Sequence, residues 1–229
     1  ADFNIASREM SWRTDILPRN VRNALEYFSK EPWMQRQKWY LAGGTALALQ
    51  VGHRQSVDLD FFNPQKKFSL TGLLGNLSQQ GWETTFARES TLYGKLHGGK
   101  VSFISYPFFR PEKSFRRYGN IRVLESADIA VMKIIAISQR GSKRDFVDLY
   151  WYVRNCEPLI PILERVPRQY ATVTHDFTHI LKALMYFEDA EKDPMPRLFF
   201  KADWNGIKRY FRREIPRAAK ELLNLRRQK

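Results

Sequence analysis

Several features that many proteins carry are missing from this chain. It has one cysteine, Cys156, so no internal disulfide can form, and a reducing compartment is expected. Its longest strongly apolar run, IAVMKIIAI, is far shorter than the about 20 residues that span a bilayer. The N-terminal stretch lacks the apolar segment of a signal peptide, and no Gly-x-x-x-x-Gly-Lys-Ser/Thr loop supports P-loop ATPase chemistry. We therefore expect a soluble cytoplasmic protein with no membrane partner.

Acidic residues are the minority among the charged side chains. The 229 residues include 38 Lys or Arg and 24 Asp or Glu, which gives a net charge of +14. Such an excess favours binding to nucleic acid, nucleotides or an acidic partner. Hydrophobic residues make up 43% of the chain and aromatic residues 14%, which predicts a folded protein with a substantial core.

The hydrophobic periodicity changes near residue 124. Before it, helical patterns such as SLTGLLGNLSQQG, ending at Gly81, alternate with β-prone segments, of which WETTFARE, TLYGKLHG and KVSFISYPFF are consecutive. After it the pattern is helical almost throughout, including FTHILKALMYFEDAEK and a basic helix from about Asp203. We expect an α+β fold in which a mixed β-sheet with flanking helices, residues 1–124, precedes a helical C-terminal lobe, residues 125–229, that completes a cleft.

An acidic pair alternates with apolar residues in VDLDFF, the period of a β-strand. Because residues two apart point to the same side, Asp58 and Asp60 face together while Leu59 faces away. Two neighbouring carboxylates repel each other unless a cation lies between them. Mg²⁺ binds one or two protein carboxylates together with water and phosphate oxygens, so the pair predicts a partial metal site. The structural alternative is a solvated edge strand.

A glycine turn precedes this strand. Gly43 and Gly44 follow the short strand WYLAG and lead into a helix predicted from Thr45 to Val51. Backbone N–H groups at such a turn can bind the phosphates of a nucleoside triphosphate, although the same dipeptide is common in ordinary strand-to-helix turns.

A second polar group lies in ADIAVMKIIAISQRGSKRDFVDLY, residues 127–150. Lys133 is on the apolar face of its helix, which is unfavourable unless its ammonium meets an anion or reaches solvent along its stem. Asp145 and Asp148 are three apart and share a helical face. Ser142-x-x-Asp145 also approximates a capping box, which would give Asp145 a structural role.

Further polar residues lie close to these two groups in the sequence. His53, Arg54 and Arg144 are candidates for binding phosphates or the base, and exposed charges are the alternative. Ser56 is a candidate for orienting Asp58 or contacting the metal.

Together, GGTALALQVGHRQSVDLDFF and the 127–150 block resemble the AbiEii/AbiGii-type toxins, minimal nucleotidyltransferases of the polymerase-beta-like superfamily. The resemblance covers roughly residues 39–153. It implies a nucleotidyltransferase-like sheet and an enzyme that uses Mg²⁺, or Mn²⁺, to transfer a nucleoside monophosphate from an NTP to an acceptor hydroxyl. The expected acceptor is RNA, above all the 3′ end of tRNA. The implied role is growth arrest or phage defence, neutralised by a cognate antitoxin.

Roles for individual residues follow from the motifs and the resemblance. Asp58 and Asp60 are expected to hold the metal, and Gly43, Gly44 and Thr45 to bind phosphates. Lys133 is the implied active-site lysine. Asp148, with Asp145 as second choice, is the implied catalytic or site-organising acid.

The sequence departs from the superfamily at one position. Other members carry a third carboxylate on a later strand, where KVSFISYPF offers Ser102 and Ser105. The sequence therefore leaves two alternatives for the general base. Either Asp148 takes the proton from the attacking hydroxyl, or the substrate and a metal-bound hydroxide share this task.

The C-terminal segment from Arg197 to Lys229 has eleven Lys or Arg and three Asp or Glu, with aromatic residues interleaved. It can be a solvated helix, a surface for an RNA acceptor or an antitoxin interface. Two other functions are alternatives for the whole chain: a non-catalytic RNA- or partner-binding protein on the same fold, and a transferase that modifies a protein hydroxyl.

Overall fold

The computed structural model describes residues 11–78 and 80–227. The strands within these residues form one mixed sheet of seven: β1 (Tyr40–Ala42), β2 (Asp58–Asn63), β3 (Glu83–Arg88), β4 (Thr91–Leu96), β5 (Gly99–Ser105), β6 (Arg116–Tyr118) and β7 (Ile121–Val123). Their spatial order is β3-β4-β5-β2-β1-β7-β6. The predicted α+β class, a mixed sheet with flanking helices, is confirmed.

In the sequence, some helices come before or between the strands and the others follow the last strand. A 3₁₀ turn (Thr14–Ile16) precedes α1 (Arg19–Lys30), α2 (Pro32–Arg36), α3 (Gly43–Val51) and α4 (Leu70–Leu77). After the last strand come α5 (Ser126–Arg140), α6 (Lys143–Asn155), α7 (Leu159–Gln169), α8 (Phe177–Ala183), α9 (Glu188–Glu191) and α10 (Trp204–Arg227). None of these helices combines the length and apolar character that crossing a bilayer requires.

Strand β2 lies in the middle of the sheet. It pairs antiparallel with β1 and parallel with β5. Leu59 and Phe61 are fully buried on one face, and Asp58 and Asp60 lie on the other. The acidic pair is therefore on a central strand, which excludes the edge-strand alternative.

Aromatic side chains form the core beneath the buried face of the sheet. Phe61 and Phe103 stack with ring centroids 5.3 Å apart. Helix α1 covers them through Phe28, whose ring lies 5.0 Å from Phe61 and 5.7 Å from Phe103. The apolar face of α1 is set by the spacing of Val21, Ala24, Leu25 and Phe28, all of which are buried.

Two predicted helices differ from those in the structure. Helix α4 ends at Leu77, and the chain reaches Gly81, whose φ is +71°, through a turn in which Gln80 N donates to Leu77 O. FTHILKALMYFEDAEK forms two short helices, α8 and α9. Met185 N and Tyr186 N donate to carbonyls three residues back, so the helix tightens and ends there.

The hairpin of β6 and β7 was not predicted. Each strand has three residues, too few for a period-two pattern to be recognised. The turn passes through Gly119, whose φ of +56° favours glycine. β7 extends the sheet by pairing parallel with β1.

The predicted division between residues 124 and 125 falls in the connection from β7 to α5. Buried side chains from both sides of that division belong to one hydrophobic cluster. The sheet and the C-terminal helices thus share a core, and the cleft described below lies where they meet.

Replacing Phe103 tests the aromatic core. The Phe103 ring is fully buried and contacts five aromatic rings, those of Phe28, Trp33, Trp39, Phe61 and Trp82. We expect Phe103→Ala to lower the free energy of unfolding by about 3–5 kcal/mol in urea denaturation.

Phe108 is the matched control because its side chain is half exposed. Phe108→Ala should change the free energy of unfolding by no more than about 0.5 kcal/mol. Equal losses in the two variants would contradict the placement of Phe103 at the centre of the core.

Candidate active site

One cleft brings together residues from both polar groups of the sequence. It lies between the exposed face of β2, the start of α3 and the helices α5 and α6. Eight of the predicted site residues line it: Gly43, Gly44, Arg54, Ser56, Asp58, Asp60, Lys133 and Arg144. The other four, Thr45, His53, Asp145 and Asp148, are buried behind this lining.

The acidic pair faces the cleft with unequal surroundings. Arg144 Nη1 donates to Asp58 Oδ2 at 3.1 Å, and the Ser102 hydroxyl donates to Asp60 Oδ1 at 2.6 Å. Burial raises the pKa of Asp60, the Ser102 hydrogen bond opposes this, and the Asp58 carboxylate adds to it. Two carboxylates side by side, one of them with a raised pKa, leave negative charge that a cation would stabilise.

Asp58 and Asp60 could supply part of the ligands of a divalent metal ion. Within the described residues, the side-chain contacts engage one oxygen of each carboxylate and leave Asp58 Oδ1 and Asp60 Oδ2 for a cation. No group of three or more His, Cys, Asp or Glu that could hold a metal occurs in residues 11–78 and 80–227. Water and substrate oxygens would therefore have to complete the coordination, as Mg²⁺ accepts.

The glycine turn lies directly beside the acidic pair. Helix α3 begins at Gly43, whose φ of +71° favours glycine. A Cβ built on Gly43 would be 3.1 Å from Asp60 Oδ2. The N-terminus of α3 and the carboxylates thus face the same small space, where an anion and a cation could be bound together.

Gly44 has a second role, which the sequence did not indicate. A Cβ at this position would lie 2.1 Å from Arg54 Nη2 and 3.3 Å from Asp148 Oδ2. Glycine is therefore needed at residue 44 to let the buried Arg54 guanidinium approach α3.

Thr45 connects α3 to the start of β2. Its hydroxyl donates to the Asp58 carbonyl and lies 2.8 Å from Ser56 Oγ, and its side chain is buried. The structure places the Thr45 and Ser56 hydroxyls against each other, so they support the backbone that carries Asp58.

Asp148 is the centre of a buried charge cluster. Arg54 binds it with two hydrogen bonds, Nε to Oδ1 at 2.5 Å and Nη2 to Oδ2 at 2.8 Å. His53 Nε2 lies 2.7 Å from Oδ1, and Lys133 Nζ lies 2.6 Å from Oδ2. Burial alone would raise the pKa of Asp148, but Arg54 and Lys133 hold that pKa well below its usual range. Asp148 is thus ionised and enclosed by protein.

Asp145 links Lys133 to the surface of the cleft. Lys133 Nζ is 2.7 Å from Asp145 Oδ1, and Arg140 Nε is 2.8 Å from Oδ2. Burial opposes ionisation here too, yet Lys133 and Arg140 lower the pKa of Asp145. The capping-box interpretation of Asp145 is wrong, because the Ser142 hydroxyl donates to the Asp145 carboxylate instead of accepting from its backbone N–H.

His53 lies behind the cleft and does not line it. It is buried, and no described residue pairs with its Nδ1. Burial lowers the pKa of His53, and the hydrogen bond to Asp148 opposes this only in part. The ring is therefore neutral at pH 7, and its Nε2–H donates to Asp148.

Arg140, Gln139 and Tyr106 also line the cleft, and the sequence argument missed them. Arg140 follows Lys133 by seven residues, which places both on one face of α5. That spacing could have identified Arg140. Tyr106 follows β5, and its approach to the cleft depends on the pairing of β5 with β2, which the sequence does not reveal.

The two serines expected to replace a third carboxylate occupy different environments. Ser102 pairs in register with Asp60, so it stands beside the acidic pair. Ser105 pairs with Asn63 on the opposite face, and its hydroxyl donates to Gln65 O. Of the two serines, Ser102 is thus the one that lies beside the acidic pair.

Comparison with known proteins gives a consistent assignment. The family model described as nucleotidyl transferase AbiEii toxin, type IV toxin–antitoxin system, matches residues 34–108 and 104–224. An uncharacterised protein from Aquifex aeolicus (strain VF5) is 37% identical over 185 residues, which cover 77% of this chain and 86% of that protein.

Two solved structures are similar to the chain. One, assigned as a nucleotidyltransferase from H. pylori, has a TM-score of 0.53 and 17% identity and covers 91% of this chain and 98% of its own. The nucleotidyltransferase toxin MenT4 from Mycobacterium tuberculosis H37Rv has a TM-score of 0.42 and 14% identity, covering 90% of this chain and 95% of its own.

Gly44→Ala tests whether α3 must approach Arg54 closely. Because the added methyl group would overlap Arg54 Nη2, we expect the Arg54–Asp148 pair to be displaced and the free energy of unfolding to fall by about 3 kcal/mol. Gly75→Ala in α4 is the control, since nothing lies within 4 Å of its added Cβ; a small gain of up to about 1 kcal/mol is expected there. Equal free energies of unfolding in the two variants would contradict the close approach of α3 to Arg54.

The pH dependence of stability tests the neutral state of His53. Its pKa is lowered in the folded protein from an ordinary value of 6.5, so below that pH the unfolded chain binds the proton more readily and stability falls. One such group contributes a slope of at most about 1.4 kcal/mol per pH unit. His53→Gln should remove this contribution to the loss of stability between pH 6.5 and 5, measured by denaturant titration at each pH.

The exposed His179 is the control, and His179→Gln should keep the native slope. An unchanged slope in His53→Gln would show that His53 is not held neutral by burial.

Proposed function

The chain belongs to the nucleotidyl transferase AbiEii toxin family and is a nucleotidyltransferase, and from that premise we propose that it uses Mg²⁺ to transfer a nucleoside monophosphate from an NTP to the 3′ end of tRNA. The observation that carries the proposal is the contact between the glycine turn and the acidic pair, where a Cβ on Gly43 would lie 3.1 Å from Asp60 Oδ2. A helix N-terminus suited to phosphate and carboxylates suited to a metal thus share one cleft.

Asp58 and Asp60 would hold the metal. A bound Mg²⁺ would supply positive charge that stabilises the negative charge developing on the triphosphate during transfer. Arg144, now bonded to Asp58, has a half-exposed side chain. A cation held by Asp58 would replace Arg144 at that carboxylate, and Arg144 would then be free to bind a phosphate.

The remaining cations of the cleft would bind the triphosphate from the helical side. Lys133 reaches the lining from α5, although its ammonium is already shared by Asp145 and Asp148. Arg140 is on the same face of α5 with a largely exposed side chain. The N–H groups of Gly43 and Gly44 would face the phosphates from the opposite side.

Asp145 and Asp148 are assigned a positioning role. Neither carboxylate is accessible, because Lys133, Arg54 and Arg140 surround them, so neither can take a proton from an acceptor hydroxyl. Among the described residues, the carboxylates that line the cleft are those of Asp58 and Asp60. The acceptor O3′ would attack the α-phosphorus, pyrophosphate would leave, and the proton would pass to one of these carboxylates or to a phosphate oxygen.

The biological role would follow from the acceptor. A nucleotide added to the 3′ end of tRNA occupies the ribose to which an amino acid is attached, which would arrest growth. A cognate antitoxin would neutralise the enzyme, as the description of the family implies.

A labelling experiment tests the reaction. The native chain is incubated with total cellular RNA, Mg²⁺ and each NTP labelled at its α-phosphate. Label should enter an RNA of tRNA length, and a chelator should abolish it. Asp60→Asn should reduce the rate at least about 100-fold, because the charge that holds the metal is lost.

Asp189→Asn, which changes an exposed carboxylate outside the cleft, is the control and should keep the native rate. Label in polypeptide instead of RNA would replace the RNA acceptor by a protein hydroxyl. RNA binding without any label, unaffected by chelation, would contradict the catalytic proposal.

A further inference from the structure

The face of the sheet that carries the acidic pair continues past the cleft. In the pairing registers, Asp60 of β2 is opposite Ser102 of β5, Ser102 is opposite Tyr93 of β4, and Tyr93 is opposite Phe86 of β3. Residues directly opposite each other point to the same face. The two aromatic side chains therefore lie in one cross-strand row with Asp60.

The burial pattern supports this assignment. In β4, Leu92, Gly94 and Leu96 are buried, whereas Tyr93 and Lys95 are exposed. The buried set packs on the aromatic core, so the exposed set belongs to the face of the acidic pair. Phe86 and Arg88 of β3, which lie on this face, are exposed as well.

Two large aromatic rings lie in solvent at the end of the row. The exposed fractions are 39% for Phe86 and 41% for Tyr93. Their centroids are 5.5 Å apart with an interplanar angle of 30°, and the Arg88 guanidinium lies 5.3 Å from the Phe86 centroid. Such a stack beside an arginine is a surface on which nucleobases stack well.

Positive charge flanks the two rings. Arg88 lies in the next row on one side, and Lys95 and Lys100 lie in the next row on the other. Lys95 and Lys100 are directly opposite each other, and Asp58 of β2 lies opposite Lys100 on its other side. Glu83 is opposite Lys95 at the outer edge and offsets part of this charge.

We propose that this surface, the aromatic platform of Phe86, Tyr93, Arg88, Lys95 and Lys100, binds the single-stranded end of the RNA acceptor. The bases stack on Phe86 and Tyr93, and the basic side chains contact the phosphates. Three strand spacings of about 4.8 Å separate Phe86 from Asp60, so a few nucleotides extend from the platform to the acidic pair. The inference rests on the proposed function, since it assigns the acceptor of that same cleft.

The choice of a single strand follows from the geometry. Bases inside a duplex are already stacked on each other, whereas an unpaired end offers free base faces to an exposed sheet. The platform is therefore expected to prefer single-stranded to double-stranded RNA, with little sequence preference.

A double variant tests the platform. Phe86→Ala with Tyr93→Ala should raise KM for the RNA acceptor, and Kd for a fluorescent single-stranded oligonucleotide measured by anisotropy, by about 10- to 100-fold, the range of stacking one or two bases. KM for the NTP should stay unchanged. Phe86→Tyr with Tyr93→Phe keeps both rings and should retain native KM and Kd.

Tyr186→Ala is the control. Tyr186 is 48% exposed and lies between α8 and α9, outside the sheet and outside the basic C-terminal segment. Its removal should leave KM for RNA unchanged. Arg88→Ala with Lys95→Ala provides a test that keeps both rings. It should reduce the steepness of the plot of log Kd against log salt concentration by about 0.7 for each phosphate that these side chains neutralise.

The outcomes separate this inference from the proposed function. Unchanged RNA KM and Kd in a folded, active double variant would overturn the platform and leave nucleotide transfer to RNA intact. Equal losses in Tyr186→Ala would also overturn it, since the effect would not belong to this face. If the native chain labels polypeptide or nothing, the proposed function fails and the platform fails with it.

Discussion

A single buried carboxylate holds the cleft together. Asp148 on α6 binds Arg54 from the loop before β2 and Lys133 from α5, so three segments distant in sequence are fixed at one point. Burying these charges is costly, and the cost is offset because each oxygen of Asp148 has two partners. Removing Arg54 or Lys133 would leave part of this buried negative charge uncompensated. The same cluster requires glycine at residue 44, because only glycine lets α3 pass beside the Arg54 guanidinium.

This cluster divides the ionisable groups of the site into two sets. The buried set, centred on Asp148, is balanced by its own partners and acts as a rigid support. The cleft set, Asp58 and Asp60 with Arg140 and Arg144 around them, is more exposed. In the proposed reaction the cleft set would exchange its partners for a metal and phosphates, while the buried set would keep its contacts and position it. The same exposed sheet face continues to Phe86, which extends the site toward an acceptor.

The sequence predicted the parts of the site that depend on local spacing. Asp58 and Asp60 share a face because a strand has period two, and Asp145 and Asp148 share one because they are three apart on a helix. The resemblance to the AbiEii toxins, based on these motifs, is confirmed by the family match. What could not be predicted depends on tertiary contacts: the reason for Gly44 lies in Arg54 and Asp148, and the row from Asp60 to Phe86 exists only through the registers of β2, β5, β4 and β3. The β6–β7 hairpin was missed because three-residue strands carry no periodicity.

The account can be tested most directly by a crystal structure of the chain with Mg²⁺ and a non-hydrolysable NTP analogue. It predicts one divalent ion between Asp58 and Asp60, phosphate oxygens at the N–H groups of Gly43 and Gly44, and Arg144 moved from Asp58 to a phosphate. Asp148 should keep its contacts to Arg54 and Lys133. A nucleotide bound away from the acidic pair, or bound there with Asp148 released to contact the substrate, would contradict the division between a fixed support and a reactive cleft.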